Sequence, residues 1–208
     1  MLVIEIAVMW GSRGMISEFT RAQRRYLQGD FEAARTILEA VYAGGRAGVQ
    51  ALTLLGNTYR QLGRLDESEA VLYEAVNKAP DHHFPQYGFG RTLLAKGRYA
   101  EAVDAIQQAL SDGAPPIVQV DLAEAYYRMG EVDAARTILQ TATSDEPARA
   151  LLISYLCYRL QTGPPPDSAL IAAGLPFWQA SAQRFAHTTY GQALAEDLAA
   201  LERLQSTA

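Results

Sequence analysis

The chain has 208 residues, 18 of them basic and 23 acidic, for a formal charge of −5, and 49% of it is hydrophobic. That length holds one domain or a short run of stacked units, and the apolar content is enough for a packed core, which excludes both a large multidomain enzyme and a disordered chain. The acidic balance gives no general attraction to nucleic acid or anionic lipid, so neither is an expected partner.

The opening run, Met1 to Trp10, is apolar but interrupted by Glu5. It is about half of the ~20 residues needed to cross a bilayer, and it lacks the basic residues that precede a secretory signal's apolar stretch. Residues 1–14 therefore read as an apolar tail, or as a misassigned start with translation beginning at Met9 or Met15. Cys157 is the single cysteine, so no internal disulfide forms. A reducing, cytoplasmic location follows as the expectation, including one at the periphery of a membrane complex.

From residue 15 onward one pattern recurs: Gly, any residue, an apolar residue, two more residues, then Ala or Ser. It starts at Gly29, Gly63, Gly97 and Gly130, and Gly163 continues the spacing. On either side of each glycine, apolar residues return three and four apart, so the repeating unit is a helical hairpin. The glycine supplies the positive φ that ends the first helix, and Asp30, Asp66, Glu101 and Asp133 favour the start of the second through its dipole. Small residues (Gly56 and Ala70, Gly90 and Ala102, Ala123 and Ala135) are expected where the paired helices approach. Pro80, Pro115 and Pro147 are expected to close the second helices.

These residues resemble the tetratricopeptide repeat family. The second unit carries Leu52, Leu55-Gly56, Tyr59, Gly63, Ser68, Leu72, Ala75 and Pro80. The third carries Phe89-Gly90, Leu93, Gly97, Ala102, Ile106 and Ala109, and the fourth Leu122-Ala123, Tyr126, Gly130, Ala135, Leu139, Ala142 and Pro147. The resemblance implies an all-α, right-handed α-α superhelix of hairpins, with units at about 15–48, 49–82, 83–115 and 116–148. The first unit keeps Ala22, Gly29, Ala34 and Leu38 but has Arg21 and Arg25 at usually apolar positions, as suits a terminal unit.

A degenerate fifth unit, 149–175, has a first helix, then Pro164-Pro165-Pro166 and a short helix near 167–173 ending before Gly174. Residues 176–208 read as a C-terminal capping helix, with Phe177, Trp178, Phe185, Tyr190, Leu194, Leu198, Leu201 and Leu204 at helical spacings. An alternative makes Trp178, Phe185, Leu194 and Leu198 a homo-oligomer interface.

No constellation for catalysis, metal or cofactor is expected. His82 and His83 are adjacent on a turn without further ligands, Gly44-Gly45-Arg46-Ala47-Gly48 follows no strand, and Cys157 has no histidine nearby. The expectation is a non-enzymatic protein adaptor that binds an extended peptide on the concave face lined by first helices. The resemblance places Phe19, Gln23 and Tyr26 on that face, then Gln50, Thr53, Asn57 and Arg60. The third and fourth units add Phe84, Tyr87, Arg91 and Leu94, and Val120, Asp121, Glu124, Tyr127 and Arg128. Arginines that fork onto carboxylates and tyrosines that give rigid amphipathic area suit a peptide with apolar and acidic residues. Phe19 and Gly88 stand where a carboxylate clamp for chaperone tails needs charge, so that subset is disfavoured.

Overall fold

The computed structural model describes residues 17–207, so the expectation for residues 1–14 lies outside it. Among the described residues there are eleven α-helices and no strand. The first four hairpins are α1 (Glu18–Leu27) with α2 (Phe31–Ala43), α3 (Val49–Gln61) with α4 (Leu65–Lys78), α5 (His83–Lys96) with α6 (Tyr99–Ser111), and α7 (Gln119–Met129) with α8 (Val132–Leu139). They are followed by α9 (Pro147–Arg159), α10 (Ser168–Arg184) and α11 (Thr189–Thr207). No helix among the described residues is long and apolar enough to cross a membrane.

The hairpins close as their sequence dictates. Gly63 and Gly97 sit at φ of 75° and 79°, a left-handed conformation that side-chain-bearing residues rarely adopt. At the first turn, Asp30 caps α2 by accepting from the Ala33 amide at 3.2 Å. First helices lie against first helices, α1 on α3, α3 on α5 and α7 on α9, while each second helix packs on the next unit's first helix. This two-layer stack is the right-handed superhelix of hairpins.

The core follows the repeat. Ala22, Leu38, Leu52, Leu55 and Ala75 join the first two units, and Leu93, Ala102, Ile106, Leu122 and Ala125 join the third and fourth. Burying one such leucine or isoleucine contributes about 1.5–3 kcal/mol. The small-residue contact of the second unit is not the expected one: Ala70 is exposed, and Gly56 instead faces Leu72 and Ser68. The Ser68 hydroxyl lies 2.8 Å from both the Gly56 carbonyl and the Thr92 hydroxyl, so it takes the place that Ala102 and Ala135 hold in later units.

The C-terminal third departs from the expectations. The second helix of the fourth unit ends at Leu139, and Pro147 opens α9 rather than closing α8, because the ring's fixed φ suits a first helical position. At the fifth turn the left-handed residue is Gln161, φ 57°, not Gly163. Residues 168–184 form one helix through Gly174 and Pro176. Gly174 is a contact glycine: a Cβ there would stand 2.7 Å from the Leu151 Cβ and 2.9 Å from the Pro147 carbonyl oxygen. Pro176 is on the exposed side, where water can satisfy the carbonyl left without a donor. The expected single capping helix is thus a hairpin, α10 and α11, turning at 185–188.

Candidate functional site

The α10–α11 hairpin does not extend the stack; it folds back across the inner face. Trp178 donates its indole N–H to the Ala148 carbonyl at 3.1 Å and stands edge-on to Tyr155, with ring centroids 5.6 Å apart. At the far end of α10, the Arg184 carbonyl lies 3.1 Å from where a Cβ would be at Gly63, on the second unit's turn. Thr189 fills the space beside Gly97, and α11 packs against α5. The hairpin therefore runs from the fifth unit to the second and returns. Trp178, Phe185, Leu194 and Leu198 are 6%, 5%, 3% and 8% exposed. These four side chains lie in the chain's own core, so joining two chains through them would first require the hairpin to detach.

Under the hairpin the concave positions carry a charge network. Tyr87 donates to Asp121 at 2.5 Å, and Arg149 reaches the Tyr87 hydroxyl at 2.8 Å and Asp121 at 3.3 Å. Arg91 approaches the other Asp121 oxygen at 3.5 Å. Further along, Asp197 of α11 forms an ion pair with Arg128 at 2.7 Å and accepts from the Tyr155 hydroxyl at 2.8 Å. Arg128 also reaches Glu124 at 3.3 Å. Burial pulls Arg128 down, yet Glu124 and Asp197 outweigh it and raise its proton affinity above the ordinary value. Burial lifts the Glu124 carboxyl above the usual range and pushes Tyr87 up to about 12. A cavity of about 110 Å³ remains between this network and Trp178, Ser181 and Tyr190.

The N-terminal half of the same face is open. A recess of about 520 Å³ lies between α1, α3 and the start of α5, lined by Phe19, Gln23, Gln50, Thr53, Asn57 and Phe84 among others. Phe84 is 60% exposed and leaves an aromatic face at the edge of the recess. Behind the recess Arg60 donates to the Asn57 side-chain oxygen at 3.2 Å. Arg60 is 6% exposed, its Nε has no hydrogen-bond partner, and burial followed by repulsion from Arg91 pushes its pKa down to about 10.

Of the expected groove residues, Gln23 is exposed and Asn57 half-buried at the recess, Tyr26 is half-buried with its ring edge-on to Phe31, and Arg60 is buried. Tyr87, Arg91, Glu124 and Arg128 lie in the half that the hairpin covers, and Tyr127 places its ring beneath the Arg128 and Arg159 guanidinium groups. His82 caps α5 by accepting from the Phe84 amide at 3.3 Å, and Cys157 is half-buried against the last core cluster. Among the described residues no group of three or more His, Cys, Asp or Glu is placed to hold a metal. Sequence reasoning missed Arg149, Tyr155, Arg184 and Asp197. For Asp197 there was a signal: a carboxylate on the same stripe as Leu194, Leu198 and Leu201 must be buried with them, and a buried charge needs a partner.

Three tetratricopeptide repeat family models match the chain, over residues 93–153, 49–111 and 19–40. Human "Tetratricopeptide repeat protein 21B" is 27% identical over 105 residues; the match takes in 50% of this chain and 8% of that protein's length. Among solved structures, TTC0263, a thermophilic TPR protein of Thermus thermophilus, superimposes with a TM-score of 0.62 at 16% identity, covering 88% of this chain and 96% of that one. MamA MSR-1 gives a TM-score of 0.56 at 19% identity over 80% and 94% of the two chains. A MamA RS-1 double mutant gives 0.58 at 17% identity over 94% and 100%. At these identities the structural likenesses establish the fold.

Proposed function

The chain belongs to the tetratricopeptide repeat family, and on that premise we propose that it is a non-enzymatic adaptor holding an extended segment of a protein partner in the open N-terminal half of its inner face. The observation that carries this reading is the recess between Phe19 and Phe84. It combines an exposed aromatic with amide side chains at Gln23, Gln50 and Asn57, which can pair with a peptide backbone. In the other half the hairpin occupies the corresponding space, so the binding surface is confined to the first three units. The lone, unpaired Cys157 supports a reducing, cytoplasmic setting.

The test is affinity capture from extracts of the source organism with the full chain and with a Phe84→Ala/Asn57→Ala variant. Loss of an aromatic anchor is expected to weaken capture by about 30-fold or more, as for a hot spot of 2 kcal/mol. Helical circular dichroism should be unchanged, because neither side chain belongs to the hydrophobic core. Equal yields of the same partners from both proteins would overturn the reading.

A further inference from the structure

A groove of about 710 Å³ runs between α1 and α2, lined by Arg21, Arg24, Arg25 and Ile37 among others. The repeat shows what packs in such a groove. One period of 34 residues later, Arg21, Arg25 and Ile37 become Leu55, Tyr59 and Val71, which are 1%, 7% and 6% exposed and share a core cluster with Leu38 of the preceding second helix, α2. The Tyr59 hydroxyl also donates to Glu39 of α2 at 2.8 Å. In the second unit, then, the groove receives the second helix of the unit before it. In the first unit the same positions are cationic. Among the described residues Arg21 and Arg24 make no ion pair, and Arg25 meets Asp30 at 3.3 Å with about half of its side chain exposed.

The opening residues stand in the register of a preceding second helix. One period before α2 and the connector that follows it, Leu38, Glu39 and Val41 become Ile4, Glu5 and Ala7, and Gly45 and Gly48 become Gly11 and Gly14. Gly45 is the left-handed residue of that connector, at φ 68°, a conformation that favours glycine. Ile4, Ala7 and Val8 recur three and four apart, as one apolar face of a helix does, and Glu5 is the one charge in the first ten residues. We propose that residues 2–9 dock as a helix in the groove between α1 and α2, with Ile4 and Ala7 toward Ile37 and Glu5 beside Arg25, as Glu39 stands beside Tyr59. The arginine stems can lie along an apolar helix while their guanidinium groups stay in water. An acidic helix of another protein would answer the same charges, but the connector tethers this segment beside the groove at high effective concentration. The groove shares no lining residue with the recess at Phe84, so this inference stands apart from the adaptor reading.

The experiment is hydrogen exchange of the full chain, read by mass spectrometry over α1 and α2. Ile4→Asp places a charge at the position of buried Leu38, and it should speed exchange of both helices by about tenfold or more, the effect of losing one buried aliphatic side chain. Ile6→Asp, at the position of exposed Ala40, should leave that exchange as in the parent chain, and neither variant should alter α5 and α6. Glu5→Arg should also lower the protection of α1. Arg25→Glu breaks the pair with Asp30 as well, so the readout there is the gain in protection of Glu5→Arg/Arg25→Glu over Arg25→Glu alone. Exchange of α1 and α2 that is the same in Ile4→Asp as in the parent chain, or equal losses from Ile4→Asp and Ile6→Asp, would overturn the proposal. Protection that appears only as the protein concentration rises would also overturn it, and would give the groove to the opening segment of a second copy.

Discussion

The two halves of the inner face have the same backbone and opposite fates. In the N-terminal half the first helices present Gln23, Asn57 and Phe84 to an open recess. In the C-terminal half the corresponding helices present Arg91, Asp121, Glu124 and Arg128, with α10 and α11 lying over them. The repeat specifies the scaffold equally in both, so what separates an open face from an interior is the chain that follows the repeats. A concave position in this fold becomes interior where the protein's own C-terminal hairpin lies over it and stays open where the hairpin does not reach.

That contrast sets an order of expected effects. The largest belongs to Asp197→Ala in the covered half. It leaves the buried Arg128 guanidinium with only the Glu124 contact and should cost about 3–5 kcal/mol in chemical denaturation; a loss under about 1 kcal/mol would mean that the hairpin is not seated on the network. Next comes Gly174→Ala, where the new methyl meets Leu151 at 2.7 Å. Overpacking of this kind should cost about 1–3 kcal/mol, and an unchanged Tm would show that α9 and α10 can separate freely. The smallest is Gln23→Ala in the open half, expected within about 0.5 kcal/mol of the parent chain because the side chain is exposed. A large destabilisation there would erase the distinction between the halves.

The hairpins were legible because each turn is written locally: a glycine at positive φ, an acidic residue after it, and apolar residues at helical spacing. The helical spacing also put Gln23, Asn57 and Phe84 on one face, and these three line a recess. The fold-back was not readable in the same way. Phe185 and Leu194 announce that α10 and α11 bury an apolar stripe, but periodicity does not say which surface receives it, and the end of the stack and its inner face are both apolar enough to do so. Gly174 misled for a related reason. A glycine that ends a helix and one that admits a neighbouring helix look alike until the neighbour, here Leu151, is known.

Arg184 resting on the turn at Gly63 has a consequence for how the molecule is made. Stacked repeats ordinarily gain and lose order one neighbour at a time, since each touches only the next. Here a late-synthesised segment clasps an early one, so the second to fifth units should melt as a single cooperative block with uniform amide exchange, while the first unit frays ahead of them. The nascent chain would also leave the ribosome with its inner face still uncovered, and the acquisition of native structure by that face waits on the last helix.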